Sequence, residues 1–519
     1  MLRPTAVLLV AAALLLSAVP GSAVVPSAAA GPTTADGVPC SPGDLVETGV
    51  QGQVPLADQL DGRSRLGYAC NLRLVGSNDL GGRGGDTQMT WFGSCAYRAT
   101  TTDAGDAVAV LDVRDARRPR LVRLLQEAAW SGEGGILGIH EGLTVSEQRR
   151  LLAVPVGNGL WAYDVRDCRS PRLVGSFRFD SPSDPVKHDL PMGDFGIHSG
   201  KLSPDGTLYY ATNIGNGATS FTGPCLTVID LRDPRRMRLV TRWMADTPCH
   251  DLSLSPDGRT AYVGWYAATV GHPAAVVGAF TPTQAANEVS GLRVVDVSQV
   301  QAHRPAPRLT VLSEMTGGRQ HTETVTRIKG RTYVIGAEEA TCPGGNARIV
   351  DVTDSRRPVH VAELPLQINQ LEHCGSFRED TDGAGNLLLY TSHYVSVDDP
   401  RDASLVFITW YSSGLRVFDV RDPRRPREVA YLNPAVGEAS NVSHDSSTTY
   451  VRYLKGTGQV WFGSAVRGFN VAELAPRVRP AGSSGRWSVP AGHRVPAPRP
   501  VDLATLLSWR GSRWACTLG

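Results

Sequence analysis

The chain of 519 residues holds 12 histidines. Six of them, His140, His198, His250, His321, His373 and His444, recur at one place relative to a repeated phrase, and Asn71 holds the matching place at the start of the series. Imidazole titrates near neutral pH and ligates copper, zinc or iron through a neutral ring nitrogen. Matching positions thus predict one ligand-binding centre made of Asn71 and the six histidines, with the histidines as candidate metal ligands and copper or zinc as the ion. Six exceeds the four ligands of a usual zinc site, so a subset would hold one ion or the ring several. Such affinity would fall as pH drops through about 6.5. The recurrence also has a purely structural explanation: a histidine copied with each repeat can bond the neighbouring repeat's backbone.

A repeat positions these residues. Val110-Leu-Asp-Val-Arg-Asp returns as Tyr163-Asp-Val-Arg-Asp, Ile229-Asp-Leu-Arg-Asp-Pro, Val295-Asp-Val-Ser, Val350-Asp-Val-Thr-Asp and Phe418-Asp-Val-Arg-Asp-Pro, with a weaker copy at Gly468-Phe-Asn-Val. The anchors Asp112, Asp164, Asp230, Asp296, Asp351, Asp419 and Asn470 are 52, 66, 66, 55, 68 and 51 residues apart. Each copy reads as an alternating apolar strand, a polar turn and the start of another strand, with two more strands upstream. Four short strands in seven copies predict an all-β, seven-bladed β-propeller of four-stranded antiparallel blades. In that fold the first strand of each blade lines the central channel, so matching positions face one another across the axis.

The phrase resembles the LVIVD repeat family over residues 68–472. That resemblance implies an extracellular or envelope propeller and says little about chemistry. In architecture the histidine ring is similar to the propellers of nitrous oxide reductase and of the selenium-binding methanethiol oxidases, but the chain has no second domain with a Cys/His copper motif. The expected organisation is a signal peptide over 1–30, an N-terminal arm over 31–67, the propeller over 68–475 and a Pro/Arg-rich arm over 476–519. The last repeat lacks the Asp-Pro turn, and a segment near 45–54 is expected to supply its missing strand. A short helix is expected over 502–509.

Loops on the ring face are read at 213–224, 267–290 and 393–413. Asp184, His188, Asp189, Asp194, His272, Glu338, Glu339, His393, Asp398 and Asp399 cluster there as possible outer ligands or bases. The nine cysteines, without any CxxC, favour disulfides over metal thiolates. Sequential pairs 70–95, 225–249 and 342–374 are expected, with Cys40 reaching Cys516 and Cys168 left as the free thiol. Arg117/Arg118, Arg235/Arg236, Arg356/Arg357 and Arg424/Arg425 sit in turns that also carry Asp, which favours local pairing.

Arg3, an apolar run over 6–19 and small residues after it read as a secretory leader, and no later stretch is apolar enough to span a bilayer. With 52 Lys+Arg against 50 Asp+Glu the chain is no polycation, so nucleic acid is not an expected partner. No GxSxG elbow, HExxH, P-loop or GxGxxG in a βαβ setting is present. These features predict a secreted monomer that binds a small ligand or an envelope or extracellular protein through the ringed mouth of its channel. The alternative is a metal-dependent, copper-type oxidoreductase using the same ring.

Overall fold

A computed structural model describes residues 31–83, 88–100, 105–130, 141–156, 159–178, 197–212, 224–245, 247, 249–267, 289–316, 322–339, 342–380, 390–437, 440, 442–485 and 487. Within them the strands form seven antiparallel sheets arranged as blades. Blade 1 comprises β3 (Met89–Phe92), β4 (Cys95–Thr100), β5 (Ala107–Asp112) and β6 (Arg120–Leu125). Blade 2 starts with Thr144–Ser146, blade 3 with Gly200–Leu202, blade 4 with Cys249–Leu254, blade 5 with Thr322–Ile328, blade 6 with Tyr394–Val397 and blade 7 with Arg452–Leu454. The first strands of successive blades touch from blade 1 through blade 6, which places them around the axis.

Period-two alternation explains why the middle strands are apolar on both faces. In β5, Val108 and Val110 pack toward blade 2 with Leu152, Val154 and Trp161. The intervening Ala109 and Leu111 pack toward blade 7 with Trp461, Phe469 and Val471. The same division produces one apolar cluster at each of the seven blade junctions. Outermost strands have only one neighbour face, and β6 is accordingly half-exposed. Every blade also carries a register shift between its third and fourth strands. Such a bulge increases local twist, which suits blades that fan out from an axis.

The repeated Asp ends the third strand in six blades. Its carboxylate accepts the backbone N–H two residues on, as Asp112 does from Arg114 and Asp230 from Arg232. Where an Arg stands there, its guanidinium returns to the same carboxylate, as at Arg114, Arg166, Arg232 and Arg421.

The ring closes with an N-terminal strand, though not with residues 45–54, which form no strand. Leu72–Asn78 pairs with Gly468–Leu474 and becomes the fourth strand of blade 7. Just before it, Tyr68–Cys70 pairs with Arg427–Asn433 as a fifth strand on blade 6. One stretch thus stitches two neighbouring blades together. Residues 393–413 are not an insertion either: they contain the first two strands of blade 6, Tyr394–Val397 and Leu405–Trp410.

Four disulfides are present. Cys225–Cys249 and Cys342–Cys374 form as expected. Cys70 pairs with Cys40 instead of Cys95, and Cys95 pairs with Cys168, which is therefore not a free thiol. Cys40–Cys70 ties the arm to the stitching strand, and Cys95–Cys168 bridges blades 1 and 2. Four disulfides fit an oxidising compartment. Cys516, the leader, the helix expected over 502–509 and the loops at 213–223 and 268–288 lie outside the described residues. Among those described, no helix is long and apolar enough to cross a membrane.

Candidate metal centre

At one mouth of the channel five side chains from five consecutive blades converge. Glu141 precedes the first strand of blade 2, His198 that of blade 3, and His393 that of blade 6. His250 lies within the first strand of blade 4, and Glu339 follows the second strand of blade 5, Arg331–Ala337. His198 and His250 Nε2 are 3.0 Å apart. Glu141 Oε2 is 3.4 Å from His198 Nε2, and Glu141 Oε1 is 3.1 Å from His393 Nε2. Glu339 Oε2 is 3.5 Å from His250 Nε2, and Glu339 Oε1 is 3.3 Å from His393 Nε2. All five residues are buried, none more than 5 % exposed.

The electrostatics are tightly balanced. Burial alone pushes the Glu141 carboxyl up, yet His198, His393 and His250 together hold it well below the usual range. Burial pushes the imidazoles down, but Glu339 and Glu141 overrule it, raising His250 to about 9 and His393 above its usual value. Two buried carboxylates surrounded by imidazoles need positive charge nearby.

The neighbours orient these groups. The Nδ1 of His393 lies 2.8 Å from the Thr448 carbonyl, a bond that assigns its proton to Nδ1 and turns Nε2 toward the cluster. Its ring stacks on Tyr411 at 4.7 Å between centroids, and the Tyr411 hydroxyl donates to Glu339 Oε1 at 2.8 Å. Tyr394 packs against His393, and Tyr450 against Tyr394, each at 4.3 Å. Glu338 turns the other way and accepts from the Gly345 N–H.

Coordination at about 2.0–2.1 Å from one ion puts neighbouring donors about 3 Å apart. The observed spacings of 3.0 to 3.5 Å are of that size. Glu141, His198 and His250 each offer one ligand atom mutually within 4.8 Å. The donor set therefore fits a metal ion geometrically and in charge, since a divalent cation balances two carboxylates. The set is oxygen and imidazole nitrogen, with no thiolate or thioether, which suits zinc, iron(II), manganese or copper(II) over copper(I).

Of the seven positions expected from the repeat, the structure brings His198 and His250 together. His140 and His321 lie outside the described residues. His373 ends a short 3-10 turn, Leu371–His373, ahead of helix Cys374–Asp380, between blades 5 and 6 and not on the channel. His444 is buried beside the arm, with Nδ1 2.8 Å from the Ser443 hydroxyl and Nε2 2.9 Å from the Ser412 hydroxyl. Burial lowers its pKa to about 4, so it is a neutral bonded imidazole. Asn71 stands at the junction of the two stitching strands in the left-handed region, φ 57°. Its amide donates to the carbonyls of Pro39 and Val429, and Arg477 donates to its oxygen.

The blade 6 member of the cluster is His393, read from sequence only as an outer polar group together with Glu339. His373 stands 46 residues before Asp419, the same interval as His250 before Asp296, whereas His393 stands only 26 before it. Counting forward through the alternation Ser392-His393-Tyr394-Val-Ser-Val, which parallels Ile197-His198-Ser199-Gly-Lys-Leu, finds it. Glu141 was hidden behind His140.

No protein-family model matches the chain, and no curated protein does. Among solved structures the chain is similar to the crystal structure of the Myceliophteria thermophila Cps50 (Swd1) β-propeller domain, with a TM-score of 0.44 and 10% sequence identity, covering 75% of this chain and 96% of that one. Seven antiparallel blades in a ring, each with four blade strands and blade 6 with an added fifth, make this chain an all-β, seven-bladed propeller.

Proposed function

We propose that this protein is an exported propeller that holds one divalent first-row metal ion on its axis and binds a small ligand at that centre. His198, His250 and His393 would supply Nε2 donors, and Glu141 and Glu339 carboxylate oxygens. One observation carries this reading: five buried donors from five different blades form a closed ring with neighbour spacings of 3.0 to 3.5 Å, and Glu141, His198 and His250 each offer one ligand atom mutually within 4.8 Å. A purely structural histidine ring would repeat one residue and one bond from blade to blade. Here the equivalent positions carry Glu, His and His in blades 2 to 4, and blade 5 contributes from a loop. Bound there, such an ion would supply Lewis acidity toward a ligand oxygen. The four disulfides, the leader-like N-terminus and the LVIVD-like repeats support an extracellular or envelope location.

The experiment is elemental analysis of protein exported through its own leader and purified from the medium, repeated after loading with zinc, iron(II), manganese or copper(II). The expected result is one ion per chain, lost in the His198→Ala/His250→Ala double variant and retained in His373→Ala. Substoichiometric metal after every loading, with an unchanged melting temperature, would overturn the reading.

The oxidoreductase reading draws support from the phenols of Tyr411, Tyr394 and Tyr450, packed in series from His393. Reversible reduction of the copper-loaded protein without loss of the ion would favour it; release of the ion on reduction would count against it.

A further inference from the structure

One step along the channel from the metal cluster lies a second polar group: Lys201, Asp251, Glu323 and Tyr450. Tyr450 comes from blade 7 and crosses the axis to blades 3 and 4. Its hydroxyl donates to Asp251 Oδ2 at 2.8 Å, and Lys201 Nζ donates to that hydroxyl. The ammonium sits 3.7 Å from Asp251 Oδ2 and 3.7 Å from the centroid of the Tyr450 ring. Ser199 holds the other Asp251 oxygen. Glu323 is buried, and neither of its carboxyl oxygens has a hydrogen-bond partner among the described residues. Burial, reinforced by the charge on Asp251, pushes its pKa well above the usual carboxyl range.

Residue choice makes Lys201 stand out. The chain has four lysines among 52 basic residues. Lys329 and Lys455 are exposed, whereas Lys201 stands on the channel wall with 22 % of its side chain accessible. Arginine could pair with Asp251 equally well, but it cannot lose its proton in a protein and lysine can. Burial pushes the Lys201 ammonium down, against the pull of Asp251 and Glu141. An amine, a phenol and a carboxylate in mutual contact are the parts that imine chemistry needs.

We propose that Lys201 is a nucleophile that takes a small aldehyde or ketone as an imine, with Tyr450, held in place by Asp251, giving and taking the proton. The neutral amine adds to the carbonyl carbon. As the C–N bond forms, the carbonyl π pair moves to oxygen, which takes the Tyr450 proton. The surplus proton on nitrogen returns to the Tyr450 phenolate. The carbinolamine hydroxyl then takes the Tyr450 proton and leaves as water, and the iminium gives its N–H proton back to the phenolate. Amine and carbonyl become imine and water, with nothing oxidised or reduced.

The test uses the full exported protein with propionaldehyde as the probe and sodium cyanoborohydride as the hydride donor that traps the imine. Labelling rates are read at each lysine by peptide mass mapping. Lys201 is expected to label at least about tenfold faster than exposed Lys329 and Lys455. Tyr450→Phe should slow Lys201 alone. If that variant fails to fold, the rates within the native chain decide by themselves. Labelling of Lys201 no faster than the exposed lysines overturns the proposal. The site needs no metal, so chelated and loaded protein should label alike, and Lys201→Arg should retain its ion. Failure of either reading is therefore distinguishable from failure of the other.

Discussion

Two sets of charged residues sit on opposite terms in this molecule. The Asp–Arg pairs of the inter-strand turns recur from blade to blade with one geometry, as at Asp112–Arg114, Asp164–Arg166, Asp230–Arg232 and Asp419–Arg421, and their guanidinium groups are mostly in water. The axial cluster is buried, and its members differ from blade to blade. Pairs at the surface gain and lose little, so duplication can copy them freely. Buried charges are costly unless matched, so their persistence at one point needs a reason beyond folding. Repetition in this chain reports the scaffold, and departure from repetition reports the site.

The sharpest way to break that contrast is to delete one member of each set. Glu141→Ala removes a carboxylate from among three buried imidazoles. In metal-free protein it should cost about 3–5 kcal/mol, the scale of an orphaned buried partner, and it should also abolish stoichiometric metal binding. Chemical denaturation and elemental analysis read both effects. A stability change near zero would place the cluster in the same class as the turns.

A smaller effect is expected at His444, which is buried but outside the cluster. Its folded pKa of about 4 lies below the ordinary value of 6.5, so the fold favours the neutral ring. The associated stability is complete above pH 6.5 and is lost as pH falls toward 4, about 3 kcal/mol in all. His444→Gln should flatten the curve of melting temperature against pH over that window. An unchanged slope would mean that another group carries the acid sensitivity.

The smallest effect belongs to the turns. Asp230→Asn should leave both melting temperature and metal content within measurement error, because Arg232 is largely solvated. A large loss there would show that the repeat's polar face does more than terminate strands.

The scaffold was legible because it is periodic. Seven Asp or Asn anchors and the apolar alternation before them report local strand-and-turn chemistry, and those strands formed. The site was half legible. His198 and His250 kept the copied position, so counting found them. His393 was passed over because the interval to the anchor varies among blades, 46 residues from His250 to Asp296 but 26 from His393 to Asp419, and Glu339 reaches the axis from a loop whose length no period governs. Asn71 misled because its phrase resembles an opening strand, whereas the segment after it serves as an outer strand of the last blade. Strand order within a ring depends on which ends meet, and spacing along the chain does not record that. Cysteine pairing failed at Cys70 because the closing segment carries it to Cys40, and at Cys95 because its partner Cys168 lies in the neighbouring blade.

That closure sets a timetable. Leu72–Asn78 finds its partner strand only when Gly468–Leu474 exists, a separation of nearly the whole propeller. Pairing so remote in sequence is slow to form. The early blades must therefore wait, open-edged, for the last one to form. The Cys40–Cys70 bond spans only 30 residues and does not need that arrival. It can form first and hold the waiting edge in place, so an oxidising compartment prepares the seam before there is anything to close.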